Sequence, residues 1–275
     1  MSWPNGEPGA GSNTPLYWTS DGQMMVTDHL TPMISWGSND LSLNAINAGQ
    51  FDSSVLGPAA TLAKAFPGTL FIRFDWEMNG SWAPYSPNNS IQPSGETPAT
   101  FVTAWQHVVT YFRNAGVTNV KWVWAPNVDG GTSGCGAPGG STSCMSAYYP
   151  GDNYVDYVGL DGYNDASVWQ TPQQIFGASY SQLEGITSKP VIITETSSLE
   201  ATSSQVSAGD SKAAWIGQLA TYLPTLRNVV GVTWFNQTAL NNNIETNFQI
   251  DTSAAALAAW KSDFVNNPEY QGALP

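Results

Sequence analysis

The chain has 275 residues, with 21 Asp+Glu against eight Lys+Arg and a net charge of −13. That charge repels nucleic acid and anionic membrane surfaces, so neither is expected as a partner. Charged residues are only 11% of the chain, and no stretch approaches the roughly 20 apolar residues of a transmembrane helix. The composition reads as a secreted protein working on an uncharged polymer, and a monomer is expected.

Residues 1–15 are rich in Gly, Pro, Asn and Ser and read as an irregular arm. The opening MSWPNGEPGAG has neither the basic nor the apolar region of a signal peptide. Export is therefore expected to have used a signal not present in this chain. Leu16–Trp18 and Gln23–Val26 are weak strand candidates, and Pro32–Trp36 is the first clear one. A helix is expected near Phe51–Phe66, then a strand over Thr69–Trp76. The clearest helix runs from Pro98 to Ala115. Thr97 can cap it, Pro98 suits its first turn and Gly116 follows its end. Phe101, Trp105, Val108, Val109 and Phe112 fall on one face at helical spacing.

Strands follow at Val120–Ala125 and Tyr154–Asp161, a helix at Pro172–Gly185 and a strand at Pro190–Thr194. The chain closes with a helix at Ser211–Leu226, a strand at Val229–Phe235 and a helix at Thr252–Val265. The strands are short, apolar and β-branched, as strands buried on both faces should be. Alternating strands and helices imply a parallel sheet with helices outside it. An α/β barrel of about 250 residues would make residues 1–275 a single domain. Eight strands are two more than the clear candidates supply, so the first two βα units are expected to be abbreviated or missing.

Glu77 and Glu195 each follow a strand-like run and precede a loop. The C-terminal ends of barrel strands carry catalytic groups, and two carboxylates there are what cleavage of a glycosidic bond requires. Strand residues alternate between faces. Arg73, Asp75 and Glu77 would then share a face, as would Gly159, Asp161 and Tyr163, and Ile193 and Glu195. Trp124 and Trp234 end their own runs. A charged triplet on an apolar strand is costly unless paired. It reads as a salt-bridge network or as Arg73 holding the carboxylates in place. The chain also has 12 Trp and 11 Tyr. Most are expected in the core, with some lining a groove where indole faces meet sugar rings.

Cys135 and Cys144 lie in a Gly/Ser-rich loop. A loop-pinning disulfide is the preferred reading, and two thiols in a reducing compartment the other. No metal site or cofactor is expected, and His29 and His107 read as structural. Sequons occur at Asn79, Asn88 and Asn236. Glycosylation is discounted at Asn79 and Asn236, where a glycan would obstruct the cleft.

The stretches RFDWEMNGSW, NVKWVWAPN, YYPGDNYVDYVGLDGYN, KPVIITETSS and GVTWFN resemble, in order, glycoside hydrolase family 26 of clan A. The resemblance runs from about Thr31 to the C-terminus. It implies a (β/α)8 barrel and a retaining endo-acting hydrolase, most simply a β-mannanase-like endo-glycanase. Other activities of the same fold are a β-1,3-1,4-glucanase and a β-1,3-xylanase. A non-catalytic polysaccharide-binding barrel is the alternative of a different class.

By position the resemblance makes Glu77 the acid/base and Glu195 the nucleophile. Tyr163 becomes the residue that hydrogen-bonds the nucleophile, and Trp234 the aromatic platform of the cleaved subsite. Trp82 matches an aromatic just beyond the EMNG motif. With Arg73, Trp76, Trp124 and Asp161, these complete the candidate substrate-binding residues. The family usually carries a sugar-contacting His immediately before the acid/base, where this chain has Trp76. Trp76 is therefore expected to turn the enzyme away from plain β-1,4-mannan, unless, as strand parity also allows, it points into the helix layer.

Overall fold

In a computed structural model of the chain, the described residues are 27–28, 30–38, 41–89, 95–129, 144–165, 168–241 and 244–272. The arm at 1–15, Leu16–Trp18, Gln23–Val26, His29 and Cys135 lie outside them, and with Cys135 the expected bridge to the fully buried Cys144. The sequence suggested one domain. Contacts within the chain cluster into two compact units, residues 1–158 and 159–275.

The first unit begins with β1 (Met33–Trp36), the short helix α1 (Leu43–Asn47) and α2 (Gly57–Ala65), which a π-helical turn at Asp52–Leu56 leads into. There follow β2 (Leu70–Phe74), α3 (Pro98–Asn114), β3 (Val120–Trp124) and the start of β4 (Tyr157–Asn164), inside which the unit boundary falls. β1, β2, β3 and β4 pair in parallel, with Ser35 opposite Arg73, Ile72 opposite Trp122 and Trp124 opposite Val158.

Thr97 caps α3 as the sequence suggests. Its hydroxyl accepts from the Thr100 N–H at 3.3 Å, and the Thr100 hydroxyl accepts from the Thr97 N–H at 3.2 Å. Gly116 ends the helix at φ +75°, which glycine adopts without strain. The five expected apolar residues and Ala104 are all buried. At roughly 1.5–3 kcal/mol per large apolar side chain, this face anchors the unit. Phe112 meets Trp36 at 5.8 Å and Trp122 at 5.2 Å between ring centroids, and Trp105 meets Phe74 at 6.1 Å. Trp36, Phe74 and Trp122 therefore face α3. By alternation, Ser35, Arg73 and Val123 take the opposite face.

His107, on α3, pairs with Asp52 at 2.7 Å. This ties the helix to the π-helical turn, in keeping with a structural histidine.

The second unit holds the rest of β4, then α4 (Pro172–Ile186), β5 (Val191–Ser198), α5 (Ser203–Ser207), α6 (Lys212–Tyr222) and β6 (Val229–Trp234). β5 and β6 pair in parallel, and the six strands of the main sheet follow chain order. An antiparallel hairpin of β7 (Thr238–Asn241) and β8 (Ile244–Asn247) comes next, then α7 (Ala254–Trp260) with a π-helical turn to Val265 and a 3-10 turn at Pro268–Tyr270. The sequence reading missed this hairpin and the five-residue helices α1 and α5, which are too short to show a period.

These are parallel strands of a (β/α)8-type fold, six of them among the described residues. The two further strands of an eight-stranded barrel are not among those residues. No helix among the described residues is long and apolar enough to cross a membrane.

Candidate active site

In the first unit, β2 stops at Phe74, two residues short of the expected strand. Asp75 and Glu77 have left-handed backbones, with φ of +44° and +55°. Such conformations are costly for residues other than glycine and persist only where the surroundings hold them. The expected shared strand face of Arg73, Asp75 and Glu77 is therefore corrected: Arg73 belongs to the strand, and the two carboxylates belong to a turn.

That turn is held from several sides. The Asp75 N–H donates to the Trp36 carbonyl at 2.9 Å and the Glu77 N–H to the Ala125 carbonyl at 2.7 Å. The Asp75 carboxyl, fully buried, accepts from the Ser38 N–H at 2.5 Å and the Ser38 hydroxyl at 2.8 Å. Burial pushes the Asp75 carboxyl up to about 8, against the downward pull of both Ser38 bonds.

A raised folded-state pKa means the folded protein holds this proton where the unfolded chain has lost it. The contribution is complete below about 4 and is lost as pH rises to about 8. Urea midpoints measured across that range should fall with rising pH, and Asp75→Asn should remove part of the fall. Identical slopes in the two proteins would contradict this.

Asn127 and Trp82 both donate to Glu77. Asn127 Nδ2 reaches Oε1 at 2.7 Å, and Trp82 Nε1 reaches Oε2 at 2.7 Å. Asn127 is itself fixed by Asn79, whose Oδ1 accepts the Asn127 N–H at 2.9 Å and whose Nδ2 donates to the Asn127 carbonyl at 2.8 Å. Asn79 is buried and both ends of its amide are engaged, which suits the discounting of a glycan there. Asn127 was missed from sequence, although it ends the WVWAPN motif three residues past β3.

Arg73 is buried, and its Nε donates to the Ser35 hydroxyl at 2.8 Å. Its guanidinium lies 5.6 Å from the centre of the half-buried Trp76 ring, which also packs on Tyr85. Trp76 thus accompanies Arg73, on the face away from α3. Trp82 is exposed. Trp124, expected to bind substrate, is fully buried and shares the parity of Trp122, toward the helices. Its ring packs on Tyr149.

In the second unit, β5 continues through Glu195 to Ser198, beyond the expected end at Thr194. An extra residue stands on β5 between Ile193, opposite Val232, and Thr196, opposite Trp234. A bulge of this kind re-aims side chains, and Glu195 lies within it. The Tyr163 hydroxyl donates to Glu195 Oε2. Asp161 is fully buried and accepts from the Thr194 hydroxyl at 2.5 Å.

The Tyr163 ring meets Phe235 at 5.7 Å and Phe248 at 5.3 Å. Neither phenylalanine was singled out from sequence. Phe248 follows the β7–β8 hairpin that the reading missed, so no signal pointed to it.

Trp234 lies elsewhere. It is buried against Trp215 of α6 and Trp260 of α7, and its N–H donates to the Phe248 carbonyl at 2.8 Å. Lys212, fully buried, sits 5.5 Å from its ring centre and donates to the Gln249 carbonyl at 2.5 Å. Trp234, expected as the aromatic platform of the cleaved subsite, thus lies on the helix side, and Phe235, one residue on, reaches Tyr163 instead.

Residues 67–215 match the family model described as glycosyl hydrolase family 26. Endoglucanase H of Acetivibrio thermocellus is 35% identical over 236 residues, covering 83% of this chain and 24% of that protein. The chain thus spans about a quarter of that relative's length. Mannan endo-1,4-beta-mannosidase A and B of Caldalkalibacillus mannanilyticus is 30% identical over 97 residues, 35% of this chain and 17% of that one. Among solved structures, the Bacillus subtilis mannanase BCman superposes with a TM-score of 0.63 at 17% identity, covering 95% of this chain and 75% of its own.

Proposed function

Because the chain belongs to glycosyl hydrolase family 26, we propose that it is a secreted, retaining endo-β-glycanase with Glu77 as acid/base and Glu195 as nucleophile. The observation that carries the assignment of roles is the different dressing of the two carboxylates. Glu195 accepts from the Tyr163 hydroxyl at a strand bulge, which suits a carboxylate held ready to attack. Glu77 stands on a turn after its strand, with one oxygen on a fixed amide and the other on an exposed indole. A group that must gain and lose a proton needs such access.

In the first step the Glu77 proton passes to the glycosidic oxygen as its bond to the anomeric carbon breaks, and Glu195 forms an ester with that carbon. In the second, water attacks the same carbon, its proton passes to Glu77 and the ester bond breaks. Retained product configuration, read by NMR of the first-formed anomer, tests this scheme. Inverted product would overturn the nucleophile assignment. Binding without release of new reducing ends would leave the polysaccharide-binding alternative.

For the backbone sugar, β-glucan is favoured over plain β-1,4-mannan. Trp76 supplies a ring where the family usually has a hydrogen-bonding His, and a relative that matches 83% of this chain is named an endoglucanase. Loss of a hydrogen bond to a substrate hydroxyl can change preference strongly, whereas an apolar contact discriminates weakly. Wild type should therefore cleave mixed-linked glucan faster than mannan, and Trp76→His should move the ratio toward mannan. Preference for mannan over every other β-glycan, unchanged by the swap, would mean that Trp76 only packs on Arg73 and Tyr85.

A further inference from the structure

The hydrogen bonds from Asn127 and Trp82 to Glu77 differ in permanence. Asn127 is fixed at its main chain by Asn79, so its bond to Oε1 belongs to the scaffold. Trp82, which holds Oε2, is 58% exposed. Its ring lies directly over Gly80, where a Cβ would come within 2.4 Å of Cζ2 and 2.5 Å of Cη2. Glycine at 80 is thus what lets the indole lie flat enough to reach the carboxyl group. Hydrogen bonds donated to both oxygens favour the ionised form of a carboxylate. The first step of hydrolysis needs the opposite form, with a proton on the oxygen that faces the leaving group.

We propose that Trp82 is a substrate-displaced clamp: in the empty site its N–H favours the carboxylate form of Glu77, and an entering sugar moves the indole off Oε2 and eases uptake of a proton there. The proposal rests on the reading of Glu77 as acid/base and adds to it a gate on protonation. The proton comes from solvent, and no other reactant is needed. Trp82 acts here as a positioning residue through Glu77, in addition to any contact it makes with sugar.

The test is the pH dependence of hydrolysis. The basic limb of kcat/KM reports the acid in the free enzyme, and that of kcat reports it in the complex. In wild type the free-enzyme limb should lie at lower pH than the complex limb. Trp82→Phe keeps a ring and removes the N–H. It should raise the kcat/KM limb by about one pH unit, since a hydrogen bond to a charged group is worth about that much. The limb for kcat should stay in place.

Gly80→Ala retains Trp82 but fills the space under its ring, and it should give the same rise. A merely structural or stacking role for Trp82 would change KM or kcat without moving one limb relative to the other. Coincident limbs in wild type, or an unmoved kcat/KM limb in Trp82→Phe, overturn the clamp. Glu77→Gln separates this outcome from failure of the underlying reading: if that variant keeps full activity and the same basic limb, Glu77 is not the acid at all.

Discussion

Alanine in place of Glu77 or Glu195 is expected to remove most hydrolysis, with azide telling the two apart. Loss of positioned acid–base help should cost on the order of 10²–10⁴ in rate. An activated aryl glycoside, whose leaving group needs no proton, should partly restore the first step in Glu77→Ala. Glu195 still forms the glycosyl-enzyme there. Azide, which needs no base, should then release it as a glycosyl azide of retained configuration. In Glu195→Ala no ester can form, and azide filling the vacated space should attack directly to give the inverted azide. The two products are distinguished by NMR coupling at the anomeric carbon. The same azide configuration from both variants would refute the division of roles.

Tyr163→Phe carries the second largest expected loss, roughly ten- to a hundredfold in kcat/KM, the worth of a hydrogen bond to a charged group. The structure adds a reason to expect Phe248 in the same unit of action. Its ring packs on Tyr163, and its carbonyl accepts from both Ser197 Oγ at 3.0 Å and Trp234 Nε1 at 2.8 Å. Phe248 is thereby latched to β5 and β6 while it buttresses the tyrosine. Phe248→Ala should lower stability by about 3–5 kcal/mol, as for other buried phenylalanines. It should also lower kcat/KM in the wild-type background. In the Tyr163→Phe background its effect on kcat/KM should nearly vanish, because the hydrogen bond it protects is already gone. Phe248→Leu offers a milder variant where the alanine fails to fold. Losses that multiply in the double variant would mean that Phe248 acts by some other route.

Much of this protein is legible from local sequence because local physics decides it. Helix α3 follows from Thr97, Pro98 and a 3.6-residue apolar period, and each caps or buries the residues the pattern names. The parallel strands follow from short β-branched runs, and Glu77 and Glu195 stand out as carboxylates at the ends of such runs. Only the tertiary structure decides where alternation stops. β2 breaks at Asp75 because contacts from Trp36, Ser38 and Ala125 hold a left-handed turn that the residues themselves disfavour. The bulge at Glu195 depends on the register of β5 against β6, which neither strand encodes alone. Trp124 and Trp234 end their strands as the sequence suggests, yet parity with Trp122 and packing on α6 and α7 place them on the helix side. Asn127 and Phe248 meet Glu77 and Tyr163 across 50 and 85 residues of chain. Contacts at such separations leave no periodic trace, because it is the folded strands, and not the neighbouring residues, that bring the partners together.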